Sequence, residues 1–123
     1  MKLQNNLYNI IESDTEAGVY RISLDSECMI YKAHFPEMPI TPGVCIIQIA
    51  TELFELLQQR PLALAEVVNA KFLAVINPLQ KKEIEYRFSK ISPNETDGTV
   101  KVSVAVTHGD TTCAKLSLLY KTA

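Results

Sequence analysis

Apolar positions fall in two rhythms along this chain, and the change from one to the other marks its elements. Tyr20, Ile22 and Leu24 alternate with Arg21 and Ser23, the period-two pattern of a half-buried strand. Residues 7–11 read as a shorter strand before it, joined through a turn over residues 14–18. The rhythm then becomes helical. Val44, Ile46, Ile47, Ile49, Ala50, Leu53, Phe54, Leu56 and Leu57 cover most of a helix's circumference. Gln48, Thr51, Glu52, Glu55 and Gln59 fill the remaining narrow stripe, which reads as a solvated polar face. Thr41 is the predicted N-cap, with Pro42 at the first helical position, where its missing donor costs nothing. The helix should stop at Gln58 or Gln59, ahead of Pro61.

Period two then returns. Residues 67–76 are β-rich and end at Asn77 and Pro78. Ile84, Tyr86 and Phe88 alternate with Glu83, Glu85 and Arg87, and residues 92–98 form a turn region. Val100, Val102, Val104 and Val106 alternate in the next strand, His108, Gly109 and Asp110 make a hairpin turn, and residues 112–120 return. One enclosed helix followed by a long antiparallel meander predicts an α+β class: a curved antiparallel sheet wrapped around one long central helix.

Composition narrows the functional classes. The chain has 123 residues, the size of a single domain over residues 1–123, with 47% hydrophobic and 21% charged residues. Net charge is −2, and the basic residues are dispersed apart from Lys81 and Lys82, which disfavours nucleic acid as a partner. The best apolar run, residues 44–50, is broken by Gln48 and too short to span a bilayer, so no membrane association is expected. Cys28, Cys45 and Cys113 lack metal-ligand spacing and read as reduced thiols of a cytoplasmic protein, Cys45 as a packing residue on the helix. The first residues carry no signal-peptide pattern. No phosphate-cradling loop is present, and no metal ion or other cofactor is expected.

The candidate chemistry lies just before the helix. Pro36, Pro39 and Pro42 stiffen a loop that places His34 ahead of the helix start. An imidazole beside helix-terminal N–H groups can remove a proton next to a carbonyl whose developing charge those groups stabilise. Taken alone, His34 could equally be a loop histidine satisfied by backbone carbonyls. His108, beside Gly109 and Asp110, reads as a turn residue without function, and Glu37 as an exposed one.

The string His34-Phe35-Pro36, then Pro39-Ile40, then Pro42-Gly43-Val44 opening an apolar helix resembles the signature of FabZ-type 3-hydroxyacyl-[acyl-carrier-protein] dehydratases. Asn69-Ala70-Lys71-Phe72 is weakly similar to the matching strand of that family. The resemblance implies a hotdog-fold homodimer, or a higher assembly of such dimers, with active sites at the subunit boundary. It implies an acyl thioester substrate on an acyl carrier protein, converted from 3-hydroxyacyl to trans-2-enoyl in fatty-acid, lipid or polyene-type synthesis. By the same resemblance His34 is the base, and the Gly43 and Val44 amides hold the thioester carbonyl. A helix carboxylate from the other subunit then helps the 3-hydroxyl to leave.

At that carboxylate the sequence departs from the family pattern. Gln48 stands where the glutamate is expected, and Glu52 stands one turn later, where glutamine is usual. The two positions share a helix face, about 6 Å apart along the axis. Glutamine cannot deliver a proton, and general acid–base assistance typically contributes ~10²–10⁴ in rate. Three readings stay open: Gln48 and Glu52 together serve a slower dehydratase, Glu52 or a water held by Gln48 attacks the thioester in a hotdog thioesterase, or the chain is a non-catalytic subunit pairing with an active dehydratase.

Overall fold

The computed structural model describes residues 2–33 and 37–123; Met1, His34, Phe35 and Pro36 lie outside the described residues. In chain order the elements are β1 (Tyr8–Asp14), β2 (Val19–Leu24), α1 (Met29–Ala33), α2 (Gly43–Gln58), β3 (Leu62–Phe72), β4 (Glu83–Asn94), β5 (Thr99–His108) and β6 (Thr111–Thr122). The strands form one six-stranded sheet in the order β1-β2-β4-β5-β6-β3, every neighbouring pair antiparallel.

The alternation read from the sequence sets the register. Val104 lies opposite Phe88 on one side and Leu116 on the other, and Val106 lies between Tyr86 and Ala114. All of these side chains are buried on one face of the sheet. Helix α2 lies against that face. Phe54 stacks on Phe88 with ring centroids 5.5 Å apart and tilts against Tyr120 at 5.2 Å. Tyr86 Oη donates to the Ile46 carbonyl at 2.9 Å, fixing the helix along the sheet. Gly18, at φ 70°, sits where a Cβ would come within 2.8 Å of the Phe88 carbonyl oxygen, so the β1–β2 turn needs glycine there.

Several boundaries differ from the sequence expectation. The helical part is not one helix. α2 has 16 residues, about 24 Å by the helical rise, and α1 adds a separate turn of five. Pro42, extended at ψ 147°, is itself the N-cap residue. Thr41 is drawn away from capping: its N–H donates to the Ile76 carbonyl at 2.9 Å, and its hydroxyl pairs with Tyr31 Oη at 2.8 Å. The helix ends as expected, with Gln59 in the left-handed region at φ 55°.

β3 begins earlier than expected, at Leu62, and stops at Phe72. Residues 73–76 leave the ladder, because the Leu73 and Ala74 N–H groups both turn to the Cys113 carbonyl and the Ile76 carbonyl is taken by Thr41. β4 runs on through Asn94, past a bulge between Ser89 and Ser92, so the turn is confined to residues 95–98. β3 is an edge strand, with Leu64, Val67, Val68 and Phe72 exposed. No helix among the described residues is long and apolar enough to cross a membrane.

Candidate functional site at the start of helix α2

The extended segment of residues 73–76 lies beside the beginning of α2, and between them opens a cavity of about 320 Å³. Its walls are Ile40, Thr41, Pro42, Gly43, Ile46 and residues 72–76, so among the described residues no charged side chain lines it. The first intrahelical bonds run from the Cys45 and Ile46 N–H groups to the Pro42 carbonyl, both at 3.0 Å. The amides of Gly43 and Val44 precede them and have no acceptor within the helix. They carry the positive end of the helix dipole, and Gly43 lies in the wall of the cleft.

Gly43 is the residue that lets this cleft close down. A Cβ there would meet Phe72 Cζ at 2.9 Å. The Phe72 ring therefore reaches the helix backbone itself. Sequence reasoning assigned no role to Phe72; its place one residue after Lys71 in the Asn69-Ala70-Lys71-Phe72 string was the available signal. Of the cleft's walls, Leu73 and Val75 are exposed apolar side chains, and Val44 at the helix start is 75% exposed.

Gln48 and Glu52 come together one turn further along. The expectation of a solvated stripe is corrected here, since Glu52 is only 3% exposed and Thr51 only 8%. Glu52 is enclosed because the N-terminal segment packs over it. Its Oε2 accepts from the Leu3 N–H at 2.7 Å and its Oε1 from the Gln4 N–H at 2.8 Å. Tyr8 Oη donates to Oε1 at 3.0 Å, and Gln48 Nε2 donates to Oε2 at 3.0 Å. Burial, with Glu52's charge and hydrogen bond adding to it, drives the Tyr8 phenol well above the ordinary tyrosine range. The rest of the stripe is also engaged: Thr51 shares a 2.9 Å bond with Tyr120 Oη, and Glu55 accepts from the Leu62 N–H.

Of the other candidates, His34 lies outside the described residues. Cys45 is buried, and that burial raises its thiol above the usual cysteine value, as suits a packing residue rather than a nucleophile. Glu37 is exposed, and His108 closes β5 opposite Thr111. Among the described residues, no three His, Cys, Asp or Glu side chains are grouped as a metal site would need.

This arrangement of sheet and helix has relatives among solved structures. The dehydratase heterocomplex ApeI:P from Xenorhabdus doucetiae superposes with a TM-score of 0.66 at 17% identity, over 92% of this chain and 96% of that one. An HP0420 homologue from Helicobacter felis gives 0.70 at 13%, over 98% and 91%. A putative thioesterase, a phenylacetic acid degradation-related protein from Ralstonia eutropha JMP134, gives 0.63 at 11%, over 94% and 85%. At such identities the likeness is one of fold, here hotdog-like, and it covers dehydratase and thioesterase titles alike. No curated protein matches the sequence. The sequence itself carries more: the family model described as ApeI-like, ApeI dehydratase, matches residues 10–115. With that match spanning most of its length, the chain belongs to the ApeI-like dehydratase family.

Proposed function

We propose that this protein dehydrates 3-hydroxyacyl thioesters carried on acyl carrier protein to trans-2-enoyl thioesters, working in the cytoplasm in lipid or polyene-type synthesis. The observation that carries the reading is the start of α2, whose Gly43 and Val44 amides have no acceptor within the helix, beside an apolar cleft lined by Gly43. Membership of a dehydratase family supports it. In this reading the amides hold the thioester carbonyl oxygen while His34 takes the proton from C2. The released electron pair forms the C2–C3 double bond, and the C3–O bond breaks. Gln48, reaching in from a partner subunit, orients the hydroxyl but supplies no proton. The imidazolium at His34 therefore hands the proton it took to the departing oxygen, which leaves as water. Glu52, already accepting four hydrogen bonds, stands behind Gln48. The exposed β3 edge supports assembly of two sheets edge to edge, as a homodimer or a higher assembly of dimers.

Two other readings each have an observation in favour. An amide in place of a carboxylate suits a thioesterase that orients a water, and a putative thioesterase shares the fold. A free sheet edge also suits a non-catalytic subunit with a different partner, and the ApeI:P structure is titled a heterocomplex.

One assay separates the three. The protein is incubated with a 3-hydroxyacyl-carrier protein, and enoyl formation is followed beside release of free thiol. Enoyl formation that falls by ~10²–10⁴ in His34→Ala supports the proposal. Thiol release supports the thioesterase, and absence of both rejects catalysis by this chain alone. Gln48→Glu is the companion test: a large gain marks the native amide as an impairment, and a loss marks a site built around it.

A further inference from the structure

We propose that the outer face of the sheet carries a ligand site separate from the cleft at α2, a groove that binds the phosphate group of a small phosphorylated molecule. The inference does not rest on the acyl-thioester reading.

Lysines dispersed along the sequence are gathered here by the strand register. Lys71 on β3 lies directly opposite Lys115 on β6. Two residues along, Asn69, Ser117, Ser103 and Ser89 stand in one row across β3, β6, β5 and β4. Leu116 and Val104, next in sequence to this row, are buried in the core, so the row itself lies on the outer face. Lys90 follows Ser89 at the β4 bulge. These residues wall a groove of about 340 Å³, and among the described residues no carboxylate lines it.

Two features of the groove cost stability on their own. Like charges directly opposite on neighbouring strands repel, and none of the ion pairs among the described residues includes Lys71, Lys90 or Lys115. Lys90 also holds φ at 51°, a left-handed conformation that a lysine seldom adopts. A bulge re-aims the side chain it carries, and this one places Lys90 in the same wall as the other two cations. An anion bridging the three ammonium groups offsets the repulsion and gives the strained position a use.

The lining also selects the kind of anion. Ammonium groups only donate, and the neighbouring hydroxyls and the Asn69 amide can donate as well. A phosphate group, with several acceptor oxygens around one centre, matches converging donors better than the two oxygens of a carboxylate. Ser103 and Ser117 are half-buried, so the site is a recess rather than a flat patch. With a net charge of −2, the chain offers no broad basic surface for a nucleic acid or a membrane.

The test is calorimetric titration of the full chain with pyrophosphate, against sodium chloride at matched ionic strength. Saturable binding is expected with pyrophosphate alone, and it should shift the backbone NMR signals of Ser103 and Ser117. Lys71→Gln and Lys115→Gln should each weaken that binding by about tenfold, the factor of one charge-assisted hydrogen bond. Lys101→Gln, on a lysine outside the groove, should bind like wild type. All three lysines are exposed, and circular dichroism checks that each variant keeps the fold. Heats no different from those of chloride, or binding indifferent to Lys71→Gln and Lys115→Gln, overturn the proposal. Capture of the chain by vesicles of anionic phospholipid without binding of pyrophosphate overturns it too, because the partner is then a membrane surface.

Discussion

The first turn of helix α2 and its middle are a few residues apart, yet they handle polar groups in opposite ways. At the middle, everything that could seek a partner has one: Glu52 with four donors, Thr51 with Tyr120, Glu55 with Leu62. Among the described residues no buried side-chain polar atom is left unsatisfied. At the first turn, the Gly43 and Val44 amides have no acceptor within the helix, Gly43 lines an apolar cleft, and Thr41 pairs with Tyr31 instead of capping them. A polar group buried without a partner is costly, so a fold completes its interior networks. A helix end that stays uncapped beside apolar walls is where a ligand's oxygen can take the place of a cap. The middle holds the fold, and the first turn leaves amides outside the intrahelical ladder.

Substitutions can break that contrast. The largest effect is expected at Glu52→Ala, which strips acceptors from Leu3, Gln4 and Tyr8. With about 1–3 kcal/mol for each stranded donor, unfolding free energy should fall by roughly 3 kcal/mol or more in urea titration. A drop below about 1 kcal/mol would show that water replaces the carboxylate at no cost, and the contrast would fail.

Alkaline pH probes the buried phenols, in the middle region and beyond it, without mutation. Burial pushes the Tyr31 and Tyr120 phenols up to about 12, and it raises Tyr8, Tyr20 and Tyr86 as well. The unfolded chain gives up these protons near 10 while the folded chain keeps them, so the folded state binds more protons across that window. Stability should therefore be fully present below about pH 10 and fall as pH rises toward 12. Tyrosinate absorbance should appear together with loss of the circular dichroism signal. Tyrosines ionising in a still-folded protein would contradict their enclosure.

Gly43→Val tests the open end. A side chain there collides with the Phe72 ring, which must swing aside and fill the cleft. Dehydration should fall about tenfold or more, while stability changes by about 1 kcal/mol or less because Phe72 is half exposed. The smallest effect is expected at Val44→Ser. With Val44 75% exposed, stability should stay within about 0.5 kcal/mol. A larger loss would mean that this face is covered in solution by another subunit.

Much of this fold could be read from local patterning, because a period of two across Val100 to Val106 has one physical solution. The end of α2 was equally legible, with Pro61 closing it. What escaped the sequence depended on distant segments. α1 spans only Met29–Ala33, too short to show a helical period. Val75 and Ile76 are good strand residues, yet they leave the sheet: the Cys113 carbonyl takes the Leu73 and Ala74 N–H groups just before them, and Thr41 takes the Ile76 carbonyl. The spacing of Gln48 and Glu52 placed them on one face. It could not show that the N–H of Leu3, 49 residues away, would bury the second of them. His34 stood out through three prolines just ahead of the helix, but it lies outside the described residues.

The contact between Phe72 and Gly43 has a practical consequence. The chain contains no tryptophan. An indole introduced at position 72 would be the sole such fluorophore, placed in the wall of the cleft beside Gly43. Its emission would shift as an acyl chain displaced water around it, turning the protein into its own titration dye.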